Sequence, residues 1–436
     1  MCQTKTPFIP EAVFLTDKLE FVGGRRGLKQ TLPVTGNTQR TNPENRVHYP
    51  ALDGVRAVAF LLVFFHHACF LPWGWCGVSF FFVLSGFLIT GILIDTRDHP
   101  HRIRNFYVRR TLRIFPLYWG IFLALLISTP LFRWKWSLPW LAWPLYLGNY
   151  LPYISSSPVL GSAAKALLPG ARTHGTILYF GHFWSLCIEE QFYLLWPWLI
   201  FYVRRSRVLL LSTVIVFALP VIRAVLHGTL PAWMVQRDIL YRITPFQLDA
   251  LVLGAILAIL WRGAHRDVLL RSSRIALPVL FVIAGAFIGY GMFQALPHPF
   301  WAYARPAWEY TWGQSFFNLF GAVLILNALQ PSTLISRLFG WRPARWLGRI
   351  SYGAYVFHDI ALPTFSIPGK WLAMHLGASK QQATLIGQHW TWAFALPSTI
   401  LIAWLSFRFW ESPFLNLKER WTVRPTQTGE QLKQFA

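Results

Sequence analysis

Apolar residues run along this chain in blocks of about the length that crosses a bilayer, cut by short basic links, from residue 55 to residue 410. A spanning helix needs about 20 mostly apolar residues. The blocks predict such helices near 55–71, 77–94, 113–130, 183–203, 208–226, 245–261, 275–293, 312–329, 350–366 and 390–408. The fold class that follows is all-α, a polytopic integral membrane protein with ten transmembrane helices. A further run, LPWLAWPLYLGNYLP at 138–152, is short and holds three prolines, so it reads as a re-entrant or interfacial segment. No strong internal repeat and no low-complexity tract interrupts the pattern.

Arginine placement orients these helices, because cytoplasmic links collect Lys and Arg. With the N-terminus cytoplasmic, the inner links 94–113, 204–207, 261–274 and 330–349 hold 17 Lys/Arg in 58 residues, against 9 in 119 for the outer links. Counting 138–152 as a full span would put Arg204, Arg205 and Arg207 outside. Both termini are therefore expected in the cytoplasm. The chain divides into a partly disordered cytoplasmic extension (1–50), a transmembrane domain (51–417) and a cytoplasmic tail (418–436). Residues 1–48 are polar and contain no signal-peptide core, so the first apolar run is expected to persist in the mature protein.

Composition agrees with the pattern: 54% of residues are hydrophobic and only 13% are charged, against roughly 25% charged in soluble domains. The formal net charge of +23 would suit a polyanion, but the arginines sit in links where topology needs them. No zinc finger or recognition helix accompanies them. Membrane lipids and one anionic ligand are the expected partners, with no nucleic acid. The four cysteines, Cys2, Cys69, Cys76 and Cys187, lack metal-ligand spacing, so no metal is expected. Cys69 and Cys76 flank the link FLPWGW and would pair in an oxidising compartment; free, lipid-buried thiols are the preferred reading.

Three places carry chemistry. In LDGVRAVAFLLVFFHH, Arg56 and His67 are eleven residues apart and lie within about 20° of one another on a helix, whereas His66 falls about 80° away. The pair is about 16 Å apart along the axis, a stripe reaching to about mid-membrane that suits an elongated ligand. Arg56 also suits an interfacial anchor paired with Asp53, and either histidine suits a bond to a neighbouring helix. Yet ionisable groups at membrane depth are functional candidates by default, and neutral imidazole suits a general base. In FYVRRTLRIFPLYW, Arg110 and Arg113 share a face and form a phosphate or carboxylate fork, or a topological anchor. In HFWSLCIEEQFYLLWPW, a buried Glu189 requires a cation or donor, while Glu190 fits the headgroup level. Asp249 and His358 read as structural.

These blocks resemble the acyltransferase 3 family, bacterial membrane proteins that move acetyl or other short acyl groups onto hydroxyls, often of sugars. LDGVRAVAFLLVFFHH, GVSFFFVLSGFLITGIL, FYVRRTLRIFPLYW, WSLCIEEQFYLLWP, LGRISYGAYVFH and FWESPFLNL match in order from residue 51 to about 417. The family's arginine-ten-histidine spacing falls on Arg56 and His67, and its arginine-two-arginine spacing on Arg110 and Arg113. Its WSLxxExxFY pattern falls on Trp184, Ser185, Leu186, Glu189, Phe192 and Tyr193. Gln247 departs from the arginine usual two residues before Asp249. Many relatives also carry a fused extracytoplasmic hydrolase-like domain, for which these 436 residues show no counterpart.

The resemblance implies acyl transfer from acyl-CoA, acetyl-CoA first, to a hydroxyl on a glycan, lipid-linked saccharide or small molecule. It places the protein in the bacterial cytoplasmic (inner) membrane, with no tightly bound cofactor. Arg110 and Arg113 would hold the donor phosphates and Arg56 the arm. His67 would act as base or acyl carrier, and Glu189 would orient it or the acceptor. A secondary transporter is the alternative for intramembrane Arg, His and Glu, but it predicts inverted repeats with broken helices. A lipid-linked-sugar glycosyltransferase predicts a carboxylate in the first outer loop, and FLPWGWCGV has none.

Overall fold

The computed structural model describes residues 49–68, 71, 73–132, 136, 138–154, 172–173, 176–177, 180–295, 307–360 and 366–423. Most of the N-terminal extension, the end of the C-terminal tail, Cys2 and Cys69 lie outside the described residues. Apart from a short antiparallel ladder, Arg172–Thr173 with Thr176–Ile177, the described elements are helical. The framework comprises α1 (Pro50–His67), α2 (Cys76–Asp95), α3 (Arg102–Phe132), α4 (Trp184–Tyr202), α5 (Arg205–Thr229) and α6 (Leu248–Trp261). It continues through α7 (Arg266–Ala295), α8 (Gln314–Ala328), α9 (Arg342–Arg349), α10 (Ser351–Phe357) and α11 (Lys380–Leu405).

Six helical stretches among the described residues are long and apolar enough to cross a membrane: Cys76–Asp95, Arg102–Leu131, Arg205–Thr229, Thr244–Trp261, Arg266–Tyr290 and Lys380–Trp421. Helices α1 and α4 match them in length. Their apolar content is held down by Arg56, His66 and His67 in one and by Glu189, Glu190 and Gln191 in the other. Outward-facing apolar side chains such as Ile127 (71% exposed), Phe217 (73%) and Val282 (74%) would be a liability in water. They need no partner in hydrocarbon.

Two expectations change. The span expected at 350–366 is not one helix: α10 is seven residues long, a turn follows at 358–360, and the next helix is Ser366–His375. The first helix also begins earlier than the expected 55, because Pro50 sits in the first turn, where no donor is lost. His67 is thus the last residue of α1.

The 138–152 run forms 3-10 turns at Leu138–Ala142 and Gly148–Tyr150, followed by the single turn Leu151–Ile154. Three prolines keep it from a helix long enough to cross. Tyr146 lies between the two turns at φ 56°.

Helix α2 is the internal post of the domain. Seventy-two per cent of its apolar window is buried, against 17% for α7, so α2 is apolar all round while α7 presents a face to lipid. Its closest neighbour is α6, and two glycines make that approach possible. A Cβ on Gly86 would strike the Leu251 carbonyl, and one on Gly254 would strike the Val83 carbonyl. Beside this seam, the Arg223 side chain is fully buried. It donates to the Phe246 carbonyl at 2.8 Å, to Asp249 at 2.8 Å and to Ser315 Oγ at 2.6 Å. A buried guanidinium requires such partners, which here engage both terminal nitrogens.

Candidate active site

A cavity of about 220 Å³ opens among α1, α2, α3, α4 and α10. Its wall on α2 runs from Val78 to Ile92, a rise of about 21 Å. Small volume over that length describes a narrow slot suited to a thin, extended ligand. Arg56, Arg110 and Arg113 line it, together with Ser85, Ser185, Glu189, Glu190, Tyr193 and Tyr355. Arg56 and Arg113 also line a second chamber of about 400 Å³, to which Asp53, Arg349, Tyr352 and Glu411 contribute.

The arginines are held in distinct ways. Arg56 donates to Asp53 at 2.6 Å, one turn earlier on α1. The Arg110 guanidinium lies 5.2 Å from the Tyr193 ring centre, a cation–π contact that fixes its plane. Arg113, three residues on, shares its face of α3 and is exposed at the junction of the two chambers. Together they give the cavity lining a cationic character.

On α4, Glu189 sits beside Ser85, Tyr193 and Arg110, and Ser85 and Tyr193 share a hydroxyl–hydroxyl bond. Glu190, expected at the headgroup level, lines the same cavity. Of the other residues in the WSL motif, Ser185 bonds the Tyr355 hydroxyl at 2.6 Å. Trp184 is buried against Phe82 and Tyr241, with ring centres at 6.1 and 4.8 Å, and does not line the cavity.

His67 is not among the lining residues either. Ser185, Phe81 and Tyr355 line the slot, and Tyr355 connects to the histidine through His358. His67 Nδ1 is 2.9 Å from His358 Nε2, and His358 Nδ1 is 2.6 Å from the Tyr355 carbonyl. Asp359 Oδ2 stands 4.0 Å from His67 Nε2 and 3.6 Å from Nδ1 of the buried His182. His66 is engaged elsewhere, its Nδ1 lying 3.1 Å from the Leu71 carbonyl. The structure thus gives two connected neighbourhoods: Arg56, Arg110, Arg113, Ser185, Glu189 and Tyr193 on the slot, and His67, His182, His358 and Asp359 joined to it through Tyr355.

Among the described residues, His67, His358 and Asp359 have donor atoms all within 4.8 Å of one another. Two imidazole nitrogens on one tetrahedral zinc, each at about 2.0–2.1 Å, would stand about 3.3 Å apart. The 2.9 Å between His67 Nδ1 and His358 Nε2 is instead a hydrogen-bond length.

Sequence reasoning missed several of these partners. His358 and Asp359 come from 291 or more residues beyond His67, where periodicity cannot reach. Arg223 was readable: a guanidinium within VFALPVIRAVLHG is as conspicuous as Arg56. It supplies the cation for Asp249 from a different helix, while Gln247 donates to the Tyr241 carbonyl at 2.6 Å.

A family model described as an acyltransferase domain matches residues 49–408. The chain is 28% identical over 401 residues to the peptidoglycan O-acetyltransferase OatA of Listeria monocytogenes, covering 86% of this chain and 57% of that protein. It is 30% identical over 337 residues to YrhL of Bacillus subtilis, covering 71% and 48%. Against the O-acetyltransferase OatA of Staphylococcus aureus it is 29% identical over 329 residues, covering 71% and 50%. The chain spans about half the length of these curated relatives. No solved structure matches it.

Proposed function

This chain belongs to the acyltransferase 3 family, and from that premise we propose that it transfers an acetyl group from acetyl-CoA to a hydroxyl of a cell-envelope glycan. The observation that carries the reading is the narrow slot lined by three guanidiniums, with a histidine–carboxylate cluster joined to it through Tyr355. An acyl-CoA has the same build: a phosphorylated nucleotide head, a thin arm and a reactive thioester at the tip. The relatives' names support acetyl as the group and peptidoglycan as the class of acceptor. A transporter is not favoured by them.

The arginine asymmetry supports a cytoplasmic mouth at the Arg113 end, in the inner membrane, with both termini on the same side. Arg110, Arg113 and Arg349 meet the donor phosphates there, and the arm runs past Arg56 along α2. The thioester then lies at Ser185 and Tyr355. Glu189 belongs to the donor side and holds Ser85 and Tyr193 in place. His67 takes the proton of the acceptor hydroxyl, for which the Tyr355 side chain must leave Ser185. The carbonyl carbon gains its bond to the acceptor oxygen as the bond to sulfur breaks, and the proton passes from His67 to the departing thiolate.

The test is transfer of label from acetyl-CoA to isolated envelope glycan by the purified protein in nanodiscs. Alkali-labile label on the glycan, absent with His67→Ala, is the expected result. No label on glycan or protein, with a folded sample, overturns the reading.

A further inference from the structure

We propose that His358 is a positioning residue that fixes the tautomer of His67, so that the lone pair of His67 resides on Nε2. The inference rests on the reading of His67 as the base and adds the device that prepares it.

The argument follows the hydrogen atoms. A carbonyl oxygen only accepts. His358 Nδ1 lies 2.6 Å from the Tyr355 carbonyl, so that nitrogen carries the hydrogen. In a neutral ring the other nitrogen, Nε2, then carries the lone pair. It faces His67 Nδ1 at 2.9 Å, so His67 Nδ1 is the donor. The remaining nitrogen of His67, Nε2, is left as the proton acceptor, and this ring keeps 27% side-chain exposure while His358 is fully buried. One backbone carbonyl thereby sets the chemistry of a ring two hydrogen bonds away.

The same logic identifies what surrounds the charge once His67 is protonated. Its Nδ1–H still donates to His358, and Asp359 Oδ2 stands 4.0 Å from Nε2. His182 lies 3.1 Å through Nε2 from the Val356 carbonyl, so its Nδ1 carries a lone pair toward Asp359. His66, on the same helix, has its ring centre 5.5 Å away. Phe60 and Phe64 pack against the His358 ring at 6.1 and 6.4 Å between centres, and hold it in the orientation that the two bonds require. Sequence offers no sign of this arrangement, since His358 reads from the sequence as an ordinary structural histidine.

Two variants separate positioning from packing. His358→Phe keeps a ring among Phe60 and Phe64 but removes the acceptor, whereas His358→Gln offers an amide oxygen near the position of Nε2. For His358→Phe, kcat is expected to fall by about 10²–10³, with donor KM within about twofold. His358→Gln should recover about tenfold of that loss. Equal kcat in the two folded variants, or wild-type kcat in His358→Phe, overturns the proposal. Nitrogen-15 NMR of histidine-labelled protein gives a readout independent of activity: His67 should be protonated at Nδ1 in the wild type and mixed in His358→Phe. An Nε2-protonated His67 in the wild type overturns the tautomer assignment even where transfer is robust. Failure of transfer in a protein with the Nδ1–H tautomer would instead fault the functional reading alone.

Discussion

The hydroxyls of Ser185 and Tyr355 lie 2.6 Å apart, on residues that line the slot, and Tyr355 also bonds into the histidine cluster. Tyr355 bridges the two neighbourhoods: its ring faces the cavity and its carbonyl accepts from His358. Removing the hydroxyl while keeping the ring should loosen the partition. Tyr355→Phe is expected to raise CoA release without acceptor about fivefold to 10²-fold, the range for losing two neutral hydrogen bonds, with Ser185 and with the His182 carbonyl. Thiol release from acetyl-CoA measures it, and an unchanged rate would remove Tyr355 as the partition.

The two adjacent histidines of α1 separate by partner, not by depth. His67→Ala should lower transfer by at least about 10²-fold, the lower end for a general base, whereas His66→Ala removes a bond to the Leu71 carbonyl and should cost less than about threefold. Turnover of labelled acetyl-CoA by folded variants decides it. Equal losses would show that helix face carries no functional distinction here.

Donor recognition should be divisible among guanidiniums. Arg110→Gln, Arg113→Gln and Arg349→Gln are each expected to raise donor KM about tenfold, the value of one charge-assisted hydrogen bond, with little change in kcat. Arg349 is the informative member, because it lines only the outer chamber. An unchanged KM in Arg349→Gln would confine the donor to the inner slot.

The Arg223–Asp249 pair is structural on this geometry. Arg223→Leu strands a carboxylate at 2% exposure and should destabilise the protein by about 3–5 kcal/mol. Replacing both, Arg223→Leu with Asp249→Leu, should recover most of the loss. Thermal unfolding in detergent reports both effects; a double variant no better than the single one would mean that the pair does more than neutralise itself.

What the sequence made legible follows from cost. Ionisable groups are expensive inside apolar runs, so Arg56, His67, Arg110, Arg113 and Glu189 stood out, and the 100° step of a helix separated His67 from His66. Apolar content also located most of the helices. It could not show that 350–366 breaks after Phe357, since a broken helix and a continuous one share the same composition. Nor could it bring His358 and Asp359 to His67, because that meeting depends on how α10 packs, not on spacing along the chain. Arg223 obeyed the rule that revealed Arg56.

The reciprocal glycines at Gly86 and Gly254 bear on how such a protein can move. Backbones touching at two points leave no room to slide, so the α2–α6 seam acts as a fixed spine down one side of the slot. Any movement that widens the slot must then come from its other walls, on α1, α3, α4 and α10. A bulkier residue at either glycine would therefore disturb assembly first, and leave the opening stroke to be slowed by changes elsewhere.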